Sequence, residues 1–169
     1  MTDDGARIVA CIPRLRRYAR ALIGTPGEAD DLVQDTLERA WAKLHQLRRR
    51  GDPRVWLFSI MHNLFVDRFR TWRARPDEAP GEQAEAAPAG TPGVDRLVLR
   101  DLASAMKQLP APQREVLLLV ALEQLTYDEV ALSLGIPVGT VMSRLSRGRE
   151  ALRALMEGAP PSASLRVIE

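Results

Sequence analysis

Residues 126–150, TYDEVALSLGIPVGTVMSRLSRGRE, read as two short helices parted by a glycine, with arginines gathered on the second. Thr126 followed three residues later by Glu129 is a capping-box pattern that satisfies free backbone donors at a helix start. Gly135 then permits the positive φ of a tight turn, and Pro137 presets the backbone for the next helix. Turned by 100° per residue, the second helix places Val141, Leu145, Gly148 and Leu152 on one face. Ser143, Ser146, Arg147 and Glu150 fall opposite, flanked by Met142, Arg144 and Arg149. Ala131 leaves room for a helix crossing. Hydroxyls and guanidiniums suit base edges and phosphates, and a helix so presented has the docking geometry of helix-turn-helix DNA readers. The spacing is also that of an ordinary helical hairpin with a solvated basic face, so the stretch leaves both readings standing.

Outward from this hairpin the apolar spacing stays helical, and no alternating β-branched run suggests a sheet. The expected class is therefore all-α. The stretch 76–93, PDEAPGEQAEAAPAGTPG, holds no Val, Ile, Leu or aromatic residue and cannot bury apolar surface. It is expected to be a flexible linker dividing the chain into two small helical domains, 1–75 and 94–158, with a flexible tail over 159–169. Ahead of the linker, helices are expected from about Ala6 to Ile23, from Pro26 to about Leu47, and from Pro53 to Arg73. Beyond it, one is expected over Val94 to Gln108 and another opening at Pro112, before the quoted pair.

Charge is segregated along the chain although the net charge is only +2. Nine Lys or Arg lie between Lys43 and Arg75 against Asp52 and Asp67, whereas 76–93 carries four acids and no base. Basic side chains concentrated in one segment are the footprint of a phosphate-rich partner, or else of a solvated face. The third helix turns Leu57, Phe58, Ile60, Met61, Leu64, Phe65, Phe69 and Trp72 to one broad side. Ser59, Asn63, Arg70 and Arg73 fall opposite, with His62 at the edge, and Arg48, Arg49, Arg50 and Arg54 precede them. Such a face can lie along nucleic acid, and aromatics among the bases could stack on unpaired bases. Most of Trp56, Phe58, Phe65 and Phe69 are nonetheless expected in the core. The second helix turns Val33, Thr36, Leu37, Ala40 and Leu44 inward and Asp31, Gln34, Asp35 and Glu38 outward. An acidic stripe beside a basic region suggests two partners, one of them a protein.

Several function classes find no support. His45 and His62 have no Cys, Asp or Glu at metal-ligand spacing, no glycine-rich phosphate loop follows a strand, and no nucleophile is paired with a base. No enzyme, cofactor or metal is expected. No apolar run approaches the roughly 20 residues of a membrane-spanning helix, so no membrane insertion is expected. The acidic opening MTDDGARIVA lacks a secretory pattern, and a cytoplasmic location is expected. The lone Cys11, among apolar neighbours, reads as a buried small hydrophobe.

Two sets of motifs resemble the extracytoplasmic-function sigma factors, the small promoter-recognition subunits of bacterial RNA polymerase. LPAPQREVLLLV and YDEVALSLGIPVGTVMSRLSRGR resemble their promoter-distal domain, and EADDLVQDTLERAWAKL with WLFSIMHNLFVDRFR resemble their core-binding and promoter-melting helices. REVLLLVALE with GTVMSRLSR is also similar to the subgroup serving general stress responses. The resemblance implies a region 2-like domain of three or four helices and a region 4-like domain of four. Asp31, Gln34, Asp35 and Glu38 would then dock on the clamp helices of core RNA polymerase, with a further contact to its flap. Arg48, Arg49, Arg50, Arg54, Ser59, His62, Asn63, Arg70 and Arg73 would capture the single-stranded −10 element, one base being flipped into a pocket that Asn63 helps to line. Thr140, Met142, Ser143, Ser146 and Arg147 would meet the double-stranded −35 element, with Arg144 and Arg149 on phosphates. An anti-sigma factor is the further partner implied.

The sequence departs from the family's pattern in two places. The loop HQLRRRGDPRVW is shorter between glycine and tryptophan than in some members, and Met142 and Ser146 stand where relatives carry basic or aromatic residues. A freestanding helix-turn-helix regulator and a sigma mimic that sequesters an anti-sigma factor are the competing readings. The first would need a dimer helix, and no heptad seam is apparent. The second could dispense with Arg144, Arg147 and Arg149, all of which are present.

Overall fold

The computed structural model describes residues 3–74 and 96–158, with the side chains of 48–50 and 72–74 outside the description. Every regular element among the described residues is helical. The expected linker and tail fall outside these residues. The first half holds α1 (Asp3–Ile23), α2 (Pro26–Ala42), α3 (Leu44–Arg50) and α4 (Pro53–Ala74). The second holds α5 (Arg96–Gln108), α6 (Ala111–Leu117) with a π-helical continuation over Leu118–Leu122, α7 (Tyr127–Leu134) and α8 (Val138–Met156).

Ile8, Cys11, Leu15, Tyr18, Ala19 and Leu22 are all buried, the i, i+3, i+4 stripe that makes α1 a core helix. Pro26 opens α2 and holds Thr25 before it in extended backbone, so the chain reverses and α2 packs beside α1. The expected single helix from Pro26 to Leu47 is in fact two. Lys43 leaves helical backbone at φ −111° and ψ 21°, and its N–H is shared between the carbonyls of Arg39 and Ala40. The break re-aims the chain so that Leu47 is fully buried. Apolar spacing runs on across it, which is why periodicity could not reveal it. Asp52 then starts α4 by accepting the Arg54 backbone N–H at 2.8 Å. Trp56, Leu57, Phe58, Met61, Leu64 and Phe65 are buried along α4. Trp56, at 4% exposure, is core and cannot stack on a nucleic-acid base.

In the second half both limbs of the capping box form, Glu129 N–H to Thr126 Oγ1 at 3.2 Å and Thr126 N–H to Glu129 Oε2 at 2.8 Å. Gly135 takes left-handed backbone, φ 64°, as the turn requires. The close approach of helices lies at Gly148, where a Cβ would stand 2.9 Å from Leu117 Cδ1. The crossing of α8 over α6 uses that glycine.

The two halves are packed on one another. Buried side chains from α1, α2, α4, α6, α7 and α8 form a single continuous apolar cluster. α7 seats on α4, and the π-helical turn and α6 rest on α1.

Candidate nucleic-acid interface

α8 presents the expected −35 residues on a rigid support. Val141, Leu145 and Gly148 are buried against the rest of the second half, while Met142, Ser143, Ser146, Arg147 and Arg149 are exposed and Thr140 and Arg144 half-buried. The Ser143 hydroxyl donates to the Thr140 carbonyl at 3.1 Å, which leaves its lone pairs for another donor. Met142, Ser146 and Arg149 share a shallow groove with Tyr127 and Arg153, which the sequence did not single out. Tyr127 is the first residue of α7, and only the fold shows that it stands beside α8.

The expected −10 residues are not gathered on one free face. Asn63 and Arg70 are exposed. Arg54 is held to Asp52 by paired guanidinium hydrogen bonds of 2.8 and 3.1 Å. That hydrogen bond, opposed by partial burial, holds the Asp52 carboxyl below its ordinary range and raises the Arg54 guanidinium. Ser59 donates to the Trp56 carbonyl at 2.6 Å. His62 lies beneath the second half, with Nδ1 2.7 Å from Glu115 Oε1. Arg48, Arg49, Arg50 and Arg73 have side chains outside the described set.

On α2, Asp31, Gln34 and Glu38 are exposed, with Gln34 Nε2 donating to Glu38 Oε1 at 3.0 Å. Asp35 departs from the expected free acidic face, because it pairs with Arg68 of α4. Beside Glu38 an open apolar groove between α1 and α2 is lined by Ile8, Val9, Ile12, Leu37, Trp41 and Ala42. Trp41 is 51% and Val9 45% exposed. No single helix carries this groove, since Val9 and Ile12 belong to α1 and Leu37 and Trp41 to α2.

The seam between the halves is polar at its edges. The fully buried Glu123 accepts from Arg17 Nη2 at 2.9 Å, with Arg14 Nη1 at 3.6 Å from its other oxygen. Ser133 of α7 donates to the Val55 carbonyl at 3.2 Å. Arg114 donates to the carbonyls of Leu22, Lys107 and Leu109 at 2.7 to 2.8 Å, tying the end of α1 to α5 and α6. Burial lowers the proton affinity of that guanidinium. Gln124, at φ 57°, takes the left-handed bend that follows Glu123. Helical periodicity does not pair Glu123 with Arg17, Ser133 with Val55 or Arg114 with Leu22, because each partner lies far away in the sequence on another element.

Among the described residues no three His, Cys, Asp or Glu converge as a metal would require, and no helix is long and apolar enough to cross a membrane. Residues 8–62 match the family described as the sigma2 domain of PhyR, and residues 99–152 match sigma-70, region 4. The chain is 36% identical to the ECF RNA polymerase sigma factor EcfG of Rhodopseudomonas palustris, over 92% of this chain and 84% of that protein. It is 36% identical to the ECF RNA polymerase sigma factor SigC of Mycobacterium tuberculosis, over 79% and 73% of the two chains. Among solved structures, the sigma factor RpoE in complex with the anti-sigma factor NepR from Bartonella quintana superposes with a TM-score of 0.79. The identity is 32%, over 93% of this chain and 98% of that one.

Proposed function

The chain belongs to the extracytoplasmic-function RNA polymerase sigma factors, and from that membership we propose how its surfaces divide the work of directing core polymerase to a promoter. The exposed face of α8 reads the −35 element in the major groove through Ser143, Ser146 and Arg147, with Thr140 and Met142 at its margin. Arg144 and Arg149 hold phosphates, which fix register without reading sequence. The polar side of α4, with Asn63, His62, Ser59 and Arg70, takes the opened −10 strand together with Arg54, Arg73 and the arginines of 48–50. Asp31, Gln34, Asp35 and Glu38 dock on the polymerase clamp, and the apolar groove beside Glu38 belongs to that contact. The domain limits are 1–75 and 94–158, the chain acts in the cytoplasm, and it works by binding rather than by catalysis.

One observation carries the division. The side of α8 opposite its buried stripe presents Ser143, Ser146 and Arg147, with Glu150 at its far end, in a half whose turn is set by a complete capping box and a left-handed glycine. RpoE of Bartonella quintana was solved with the anti-sigma factor NepR, and a protein inhibitor of that kind is the partner we expect for this chain. Because His62 lies under Glu115, a strand can reach it only after the second half moves off α4.

The direct experiment adds purified chain to core polymerase. The pair should start transcription at a specific promoter, whereas the chain alone binds that DNA weakly. Tight binding to a palindromic operator without polymerase, and no initiation, would sink the reading. Arg147→Ala sharpens it. A loss of about 1–3 kcal/mol confined to some −35 variants supports base readout, while an equal loss on every sequence demotes Arg147 to a phosphate anchor.

A further inference from the structure

α1 contributes nothing to the surfaces assigned to DNA above, yet it carries two arginines that converge on one buried anion. Arg14 and Arg17, one turn apart, direct their guanidiniums at the two oxygens of Glu123. Their side chains are 43% and 52% exposed, while that of Glu123 is wholly covered. Glu123 is not isolated. Along the same continuous stretch, Glu115 meets His62. The second half thus sets one buried acid against α1, Glu123, and another against α4, Glu115. His62, which lies under Glu115, is already assigned to the melted strand.

We propose that Arg14 and Arg17 belong to the surface that holds the sugar–phosphate backbone of the opened DNA strand, and that Glu123 stands in for a phosphate on them while the halves are packed together. The inference rests on the strand-binding reading of α4 given above. A guanidinium fork suits a carboxylate and a phosphate alike, because both present a pair of anionic oxygens to parallel N–H donors. A partner that replaces the acidic edge must supply negative charge at intervals across two helices, as a nucleic-acid strand does. Among the described residues Arg14 has no ion partner other than Glu123, and Arg17 adds only the Leu122 carbonyl. Both guanidiniums are therefore released as the second half leaves. Arg20, held by Asp30 of α2, belongs to the first half whether or not the second is docked. A phosphate contact reads no sequence, so Arg14 and Arg17 should affect all promoters alike.

The test measures binding of fluorescein-labelled oligo(dT) to the chain assembled with core polymerase, across a salt series. Arg14→Ala and Arg17→Ala alter half-exposed side chains and so leave the fold testable. Each should reduce the slope of log affinity against log salt by about 0.7, which makes a difference of roughly threefold between 50 and 200 mM salt. In the free chain, Glu123→Gln should tighten oligo(dT) binding, and adding Arg17→Ala should cancel that gain. Unchanged slopes for both arginine variants in the assembled enzyme would overturn the proposal, as would a loss of core affinity in place of DNA affinity, which would assign the pair to a protein contact. If the unaltered chain adds no salt-dependent oligo(dT) binding to core polymerase, the strand reading of α4 falls as well. If it does and the variants match it, only this inference falls.

Discussion

His62 Nδ1 stands 2.7 Å from Glu115 Oε1, and the contact joins α4 of the first half to α6 of the second. Glu115 is 3% exposed, so its carboxylate depends on this neighbour for the hydrogen bonding that water no longer supplies. Removing the imidazole leaves a buried acceptor without that partner, at a cost of about 1–3 kcal/mol. His62→Ala should therefore shift the free chain toward separated halves. Fluorescence energy transfer between dyes placed on α2 and α8 checks this, with a longer mean distance expected. A distance equal to that of the unaltered chain would mean that the apolar cluster alone holds the seam.

The start of α4 gives a pH dependence. Asp52 is held below its ordinary value of 3.8 chiefly by the hydrogen bond from Arg54. On acidification the unfolded chain takes up this proton first. The contribution of Asp52 is fully present above about pH 3.8 and is lost as pH falls through the lower folded-state value. Asp52→Asn keeps a good N-cap side chain but removes the charge. This variant should unfold at a lower temperature than the unaltered chain near neutral pH, approach it as pH falls below about 3.8, and so lose part of the acid slope. An acid slope identical to that of the unaltered chain would show that Asp52 is not among its causes.

Two glycines of α8 should respond oppositely to alanine. At Gly148 a Cβ would meet Leu117 Cδ1 at 2.9 Å and Cγ at 3.3 Å, in a well-packed crossing. At Gly139 nothing lies within 4 Å. Alanine gains up to about 1 kcal/mol of helix propensity at either site, but at Gly148 overpacking costs about 1–3 kcal/mol. Gly139→Ala should raise the melting temperature and Gly148→Ala should lower it. If both variants melt higher, α8 can move away from α6 without loss.

What the sequence disclosed follows from what repeats along it. The helices, the Thr126–Glu129 capping box, the Gly135 turn and the outward face of α8 all depend on neighbours within a few residues, and the structure has each of them. The break at Lys43 was hidden because apolar spacing is continuous through it. Asp35 looked free because Arg68, which holds it, lies 33 residues away on another helix. The seam was hidden for the same reason. Glu123 and Arg17 are 106 positions apart, and nothing local to either residue marks the pair. A lone acid on an apolar stripe, such as Glu115 or Glu123, is the one local sign that a distant hydrogen-bonding partner must be found.

Trp41 allows the polymerase contact to be tested apart from folding. Its indole is half exposed at the mouth of the groove between α1 and α2, next to Glu38. Truncation should therefore change stability by little, within about 0.5 kcal/mol. At an interface the same side chain has the character of an anchor. A large aromatic at the edge of an apolar groove, rimmed by polar groups, is where truncation costs 2 kcal/mol or more, or about 30-fold in affinity. Trp41→Ala should weaken binding to core polymerase by that factor while leaving the melting temperature and the affinity of free chain for oligo(dT) unchanged. Glu38→Ala, at the exposed rim, should cost less and should lose its effect at high salt, since a rim charge acts mainly on encounter. Competition with a labelled copy of the unaltered chain for limiting core polymerase measures both. Equal affinity for Trp41→Ala and the unaltered chain would remove the groove from the polymerase contact and leave the acidic face of α2 to carry it.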